Sequence, residues 1–236
     1  MYSRIKQVIK PFVLKNKYLS RLSGHEYFGL NNLDEKILDY ISTRDGYFVE
    51  LGANDGITQS NTKYFELYKG WQGILIEPSP KQFMRLKKFR SRKNLFYNCA
   101  CVGFDFPKTT VELIYSNLMS IALEGRNDIQ DPVAHAKEGE NHSEREKTFT
   151  FHAQARTLQS ILDESHSPKI IDLLSLDVEG GELEVLGGVD FERTSFHYIV
   201  VETRSIGEVR TFLEARNYQE IAQLTHHDFL FELNHL

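Results

Sequence analysis

The chain has 236 residues, 41% hydrophobic, 26% charged and 12% aromatic, with a formal net charge of −5. A chain of this length buries roughly 72% of its unfolded surface, enough for one complete core without disulfide or metal staples, and so much apolar content excludes general disorder. No apolar run approaches the ~18 residues of a membrane-spanning helix, and no apolar h-region of a secretory signal is visible near the first residue.

Charge is uneven along the chain. Residues 1–25 hold six basic side chains (Arg4, Lys6, Lys10, Lys15, Lys17, Arg21) and no acid, which leaves −11 on the rest. An acidic body argues against nucleic acid as a partner. Ile5, Val8, Ile9, Phe12, Val13, Tyr18 and Leu19 fall at roughly helical spacing, so residues 1–45 are expected to form a basic N-terminal helical segment packed on the domain. Pro11 argues against one long interfacial helix. A peripheral contact of residues 1–25 with an anionic membrane surface is the second reading.

From residue 46 onward, short apolar runs alternate with amphipathic segments. Tyr47–Ala53 reads as a buried strand and Ser60–Lys69 as a helix. Gly73–Glu77 is a second strand, Pro80–Arg90 a helix with Phe83, Leu86 and Phe89 on one stripe, and Leu95–Val102 a third strand. Within it, Cys99 and Cys101 sit in C-A-C; no disulfide between them is expected, and a reduced, cytoplasmic protein is the reading. A strand at Val111–Tyr115 leads into residues 117–147, which are polar and rich in Gly, Glu, Asn and His. A loop this long is expected to be either a lid or wall over a substrate or a passive insertion. Thr157–Glu164 reads as a helix, Ile170–Val178 as a fourth strand, Gly181–Leu186 as the start of a helix, His197–Thr203 as a fifth strand and Glu208–Arg216 as a helix. Tyr218–Leu224 and Asp228–Leu233 close the chain as a hairpin. The alternation predicts an α/β domain, residues 46–236 with the insertion 117–147, built on a mainly parallel sheet covered on both faces.

Two strand ends carry chemistry. Glu50–Gly56 (E-L-G-A-N-D-G) follows the first strand, where open α/β sheets bind ligands. Its glycine spacing matches neither the dinucleotide nor the phosphate-loop pattern. A loop flanked by Glu50 and Asp55 repels a pyrophosphate and suits a ligand with a cationic end. Glu77, at the end of the second strand, is placed to accept both hydroxyl protons of a ribose. Asn98, Cys99 and Ala100 fall on the adenine side of such a crevice, where Asn98 either bonds the base edge or simply ends a strand. Together these describe a nucleoside with a positive, amino-acid-like tail, which S-adenosylmethionine matches better than NAD or ATP. After the fourth strand, L-D-V-E-G-G-E (Leu176–Glu182) puts Asp177 and Glu179 two residues apart, so on a strand both face the same way. The pair accepts a proton, binds a cationic methyl donor, holds a divalent ion or caps the next helix. Glu202 ends the fifth strand at the same mouth. The scattered histidines (His135, His142, His152, His226, His227) have no zinc-ligand spacing with the cysteines.

Phe48–Thr62, Ile74–Pro80, Asn98–Ala100 and Ile171–Leu186 resemble the FkbM family of S-adenosylmethionine-dependent methyltransferases. The resemblance implies a class I, Rossmann-like methyltransferase fold: a seven-stranded, mainly parallel sheet with an antiparallel edge hairpin and helices on both faces. It implies Glu50, Gly52, Asn54, Asp55 and Gly56 as the cofactor loop, Glu77 as ribose ligand, and Asp177 and Glu179 on the acceptor side. The expected cofactor-binding set is Glu50, Gly52, Ala53, Asn54, Asp55, Gly56, Asn61, Thr62, Glu77, Pro78, Asn98, Cys99, Ala100 and Asp177. The expected reaction is O-methylation of a sugar or glycan hydroxyl, a lipid-linked surface polysaccharide at the inner face of the membrane included. Asp177, Glu179 and Glu202 are the expected catalytic groups, base catalysis being favoured over a divalent metal held by Asp177 and Glu179. A non-catalytic cofactor-binding module and a methyltransferase of small natural products are the alternatives.

Overall fold

The computed structural model describes Ser20, Gly24 and residues 26–142 and 147–234. Apart from those two positions, the basic stretch 1–25 with its expected helix and membrane contact lies outside the described residues. Among the described residues no helix is long and apolar enough to cross a membrane.

In chain order, a 3-10 turn at Leu30–Asn32 leads into the short α1 (Leu33–Ile37). β1 (Tyr47–Leu51) follows, then a π-helical turn at Phe65–Lys69. The expected helix from Ser60 is shortened because Ser60, the Asn61 amide and Thr62 turn their donors to Glu50 instead. β2 (Gln72–Ile76) precedes α2 (Pro80–Phe89), which starts cleanly: Ser79 Oγ accepts the Gln82 amide and Pro80 takes the first helical position. β3 (Leu95–Tyr97) and β4 (Ala100–Val102) replace the single expected strand 95–102. The break falls at Asn98, whose Nδ2 donates to the carbonyls of Glu77 and Pro78. β5 (Thr110–Tyr115) and β6 (Ile121–Ala122) come next, then α3 (Pro132–His142). β7 (Phe149–Thr157) is a strand the sequence analysis does not anticipate, and its last residue caps α4 (Leu158–Glu164) through Thr157 Oγ1. β8 (Ile170–Leu176), α5 (Glu182–Leu186), β9 (Ser195–Glu202), α6 (Ile206–Glu214), β10 (Tyr218–Gln223) and β11 (Asp228–Leu233) complete the chain.

Seven strands form one sheet in the order β10-β11-β9-β8-β1-β2-β3. All pairings from β9 to β3 are parallel, while β11 is antiparallel to both β9 and β10. This is the expected mainly parallel sheet with an antiparallel edge hairpin. Side chains alternate across it, as strand geometry requires. Val49, Leu51, Ile74, Ile76, Leu174, Leu176, Ile199 and Val201 meet α4, α5 and α6 on one face. Phe48, Leu75, Leu173 and Val200 meet α1, Phe65, Trp71 and Leu86 of α2 on the other. A second sheet, β4-β7-β5-β6, is separate, and β5 belongs to it rather than to the main sheet. Its parallel β4–β7 and antiparallel β5–β7 pairings enclose Val102, Val111, Leu113 and Ala153.

A buried ionic network ties β1 to α2. Arg90, fully buried, contacts Glu50 at 2.9 Å and Glu66 at 2.8 Å, and its remaining donors reach Ser60 (3.1 Å) and Thr62 (2.8 Å). Lys63 pairs with the other Glu66 oxygen at 2.7 Å. Burial by itself pushes the Glu66 carboxyl up, but Arg90 and Lys63 overcome it and hold the group at about 2. Removing one member of such a group strands a buried charge. Arg90→Met is therefore expected to lose about 3–5 kcal/mol of folding stability. Urea unfolding is the check, and a loss under about 1 kcal/mol contradicts the role given to Arg90.

Candidate active site

β1 lies between β2 and β8, so the chain leaves the sheet in opposite directions on either side of it. That reversal opens a crevice at the carboxyl ends of the strands, where ligands bind in open α/β sheets. A cavity of about 630 Å³ occupies it, within the usual range for small-molecule sites.

The β1 loop shapes the floor. Gly52 has φ 75°, and a Cβ there would lie 1.9 Å from the backbone oxygen of Asp177, so the loop presses directly on the end of β8. Gly56 has φ 79°, and a Cβ there would meet Arg90 Cγ at 2.6 Å. Gly52 and Asn54 line the cavity; Glu50, Ala53, Asp55, Gly56, Asn61 and Thr62 do not. Glu50 is taken up by Ser60, Thr62, the Asn61 amide and Arg90. Asp55 accepts the amides of Ile57 and Thr58 and pairs with Arg85 at 3.0 Å. Asn61 turns its Nδ2 to Ser175 Oγ and Ala53 packs in the core. The charge argument made from Glu50 and Asp55 therefore does not hold at these residues, because each already faces a guanidinium.

Glu77 and Pro78 line the cavity at the end of β2. The Glu77 carboxylate is fixed by two backbone donors, Asn54 N to Oε2 and Ser79 N to Oε1, both at 2.8 Å. Each oxygen keeps a lone pair for a further donor. Cys99 and Ala100 also line the cavity, whereas Asn98 is exposed and spends its amide on Glu77 and Pro78 carbonyls. Cys101 faces the same cavity and its thiol bonds that of Cys99. Both cysteines are reduced.

The negative potential comes from the β8 and β9 ends. Asp177, Glu179 and Glu202 all line the cavity. β8 stops at Leu176 and Glu179 adopts a left-handed backbone (φ 56°), so a turn, not strand alternation, brings the acids together. Such strain in a non-glycine residue concentrates at functional sites. Burial, then Glu202, Glu179, Glu182 and Asp228, push the Asp177 carboxyl well above the carboxylate range. Glu202 is pushed up to about 7 by burial and by Glu179 and Asp228, against the opposing pull of Arg204 and a hydrogen bond with Asp177. Burial raises Glu77 to about 7 and Glu182 to about 8, although both accept backbone amides.

The segment 117–147 forms a wall of this cavity. Asn117, Leu118, Met119, Ser120, Ala122, Glu124, Arg126, Asn127 and His135 all line it. Asn117 Oδ1 accepts Gln82 Nε2 at 2.8 Å, and the Asp128 carboxylate accepts Thr203 Oγ1 and the amides of Arg204 and Ser205. His135 Nε2 lies 2.8 Å from Glu179 Oε2. In the sequence His135 stands among the scattered histidines. The signal that locates it is Asp131–Pro132, a cap followed by a proline at the first helical position, which puts His135 in the first turn of α3.

A family model for the methyltransferase FkbM domain matches residues 50–220. The chain belongs to the FkbM methyltransferase family. Among curated proteins no relative matches this FkbM chain. Solved structures similar to it include precorrin-6y C5,15-methyltransferase from Geobacter metallireducens (13% identity, 85% of this chain and 87% of that one, TM-score 0.44). Another is an S-adenosylmethionine-dependent methyltransferase from Aquifex aeolicus (11%, 90% and 90%, TM-score 0.40). A third is ribosomal protein L11 methylase from Lactobacillus delbrueckii subsp. bulgaricus (8%, 87% and 78%, TM-score 0.40).

Membership of the FkbM family implies S-adenosylmethionine, and the residues fit it on the observations above. A doubly anchored carboxylate with spare lone pairs suits two ribose hydroxyls, and a cluster of acids only partly offset by Arg204 suits a cationic tail. Glu77, Glu182 and Glu202, raised to about 7–8, carry protons in the folded ligand-free protein that the unfolded chain, with glutamate near ~4.3, has already lost at pH 6. Stability contributed by those protons is present at low pH and is lost as pH rises through 7–8. The melting temperature of the ligand-free FkbM protein is expected to fall by at least about 3 °C between pH 5.5 and pH 8.5. A flat or rising profile contradicts the burial of these acids.

Proposed function

We propose that this methyltransferase transfers a methyl group to a hydroxyl oxygen of a sugar or glycan. The observation that carries the reading is the meeting of Asp177, Glu179, Glu202 and His135 at one end of the cavity, because a sugar hydroxyl is a poor nucleophile until its proton is accepted. The wall built from Asn117, Ser120, Arg126 and Asn127 supports a polyhydroxylated acceptor, since it offers amide, hydroxyl and guanidinium groups. S-adenosylmethionine supplies an electrophilic methyl on a cationic sulfur when bound. Glu77 would hold the ribose, the main chain at Gly52 and Asn54 would lie against the ligand, and Asp177 with Glu202 would face its positive end. Positioning of two bound partners in one cavity supplies much of the acceleration.

Two experiments test this. Glycan from cells lacking the gene, incubated with the protein and tritiated S-adenosylmethionine, is expected to gain O-methyl sugar on hydrolysis and mass spectrometry, with no loss of signal on chelation. Label appearing only on nitrogen or carbon, or only after a divalent ion is restored, overturns the reading or its metal-free form. Second, a cation entering beside Asp177 and Glu202 favours their ionised forms, so binding expels protons. S-adenosylmethionine is expected to bind more tightly at pH 8 than at pH 6, with a calorimetric heat that depends on the buffer's ionisation enthalpy. A buffer-independent heat removes the carboxyl pair from the cofactor's cationic end.

A further inference from the structure

His135 stands on α3, in the inserted segment, yet its ring meets the strained turn after β8. Three features fix it there. Asp131 caps α3: its side chain accepts the Ala134 amide at 2.9 Å and its carbonyl accepts the His135 amide at 3.0 Å. Ser116 Oγ donates to the Ala136 carbonyl at 2.6 Å and locks the next residue to the end of β5. The ring, 9% exposed, contacts the Glu179 carboxylate at 2.8 Å, and Arg204 lies 4.0 Å from the same oxygen. Both His135 and Glu179 line the cavity.

A histidine whose Nε2–H is held by a carboxylate keeps its Nδ1 as a lone pair, and the carboxylate steadies the imidazolium that forms when Nδ1 takes a proton. Among the described residues nothing bonds Nδ1. The neighbouring acids are differently occupied: Asp177 and Glu202 are engaged with each other, and the reading above gives them to the cofactor's positive end. We infer that His135, oriented by Glu179, is the catalytic base that takes the proton of the acceptor hydroxyl. This rests on the hydroxyl-methylation reading above. The balance is simple. The acceptor oxygen forms its bond to the methyl carbon as the carbon–sulfur pair returns to sulfur, and the O–H proton passes to Nδ1. Glu179 is then a positioning residue, and the proton leaves to solvent on product release.

The test has two parts on the full chain. In the first, nitrogen-15 NMR of the imidazole reads the tautomer with S-adenosylhomocysteine bound. The proton is expected on Nε2, and Glu179→Gln is expected to erase that preference; a proton on Nδ1 in the wild type overturns the proposal without any acceptor. In the second, S-adenosylhomocysteine release is followed with methyl glycosides of glucose, galactose, mannose and rhamnose as probes. His135→Asn is expected to lose about 10²–10⁴ in turnover while binding S-adenosylmethionine within two-fold of the wild type. His135→Ala is expected to regain turnover with added imidazole, which a packing role does not allow. Turnover of His135→Asn within three-fold of the wild type overturns the assignment. If the wild type methylates none of these glycosides, the sugar reading fails, and the tautomer alone decides His135.

Discussion

The buried Arg90–Glu50–Glu66 network is the constraint on which the rest of the site depends. Glu50 lies buried near the end of β1, where an unpaired carboxylate is costly. Arg90 neutralises it from α2, and Ser60, Asn61 and Thr62 complete its hydrogen bonds. The same arginine packs against Gly56, so the loop bends around α2 and leaves Gly52 free to reach the end of β8. Helix, loop and strand are thereby one unit. A buried ion group of this kind adds little net stability compared with an apolar substitute, and its demonstrable effect is geometric: a loop of fixed shape.

Neutralisation at β1 is closer than at the ends of β8 and β9, where several acids share Arg204. Glu50 and Asp55 each have an arginine partner, but Asp177 and Glu202 have mainly each other. The fold thus accepts protonated, half-buried acids in the cavity while spending its buried cation elsewhere. Such an arrangement destabilises the ligand-free protein at neutral pH and is relieved by a bound cation, a familiar exchange of stability for function. The neighbourhood of Glu179 follows the same logic. Its left-handed backbone is held by surrounding contacts: Asp128 N donates to Gly180 O, and Glu182 accepts the Val178 and Gly180 amides.

Much of the main sheet is legible in the sequence because its strands are short apolar runs separated by amphipathic helices. What is not legible has physical causes. β7 shows strict alternation, with Phe149, Phe151, Ala153 and Ala155 set against Thr150, His152, Gln154 and Arg156, but it borders a long polar stretch and pairs with strands distant in sequence. The β3–β4 break is invisible because Asn98 turns the chain through side-chain bonds to carbonyls some twenty residues earlier. Glu50 reads as a ligand because an acid at a strand end invites a cation, and here the cation beside it is Arg90. Asp177, Glu179 and Glu202 reach the cavity, although the alternation argument for the first two does not apply beyond Leu176. His135 was hidden because a base supplied by a separate segment leaves no local spacing to read.

The inserted segment is therefore more than a cover. Asn117 touches the β1 loop through Asn54 and α2 through Gln82, while Asp128 clasps the end of β9 and the start of α6. A Cβ on Gly180 would lie 2.2 Å from Asn127 Oδ1, so the wall seats itself against the turn that carries Glu179. Acceptor recognition on a loop-rich segment and chemistry at strand ends are often separable, since functional loops sit on a rigid scaffold. In the reading proposed above they are coupled, because Asn127 and His135 line the wall and also meet the turn that carries Glu179. Replacing the segment to change the acceptor then disturbs the catalytic geometry unless Asn127, Asp128 and His135 are kept. These three positions, more than the length of the insertion, set how far the wall can vary.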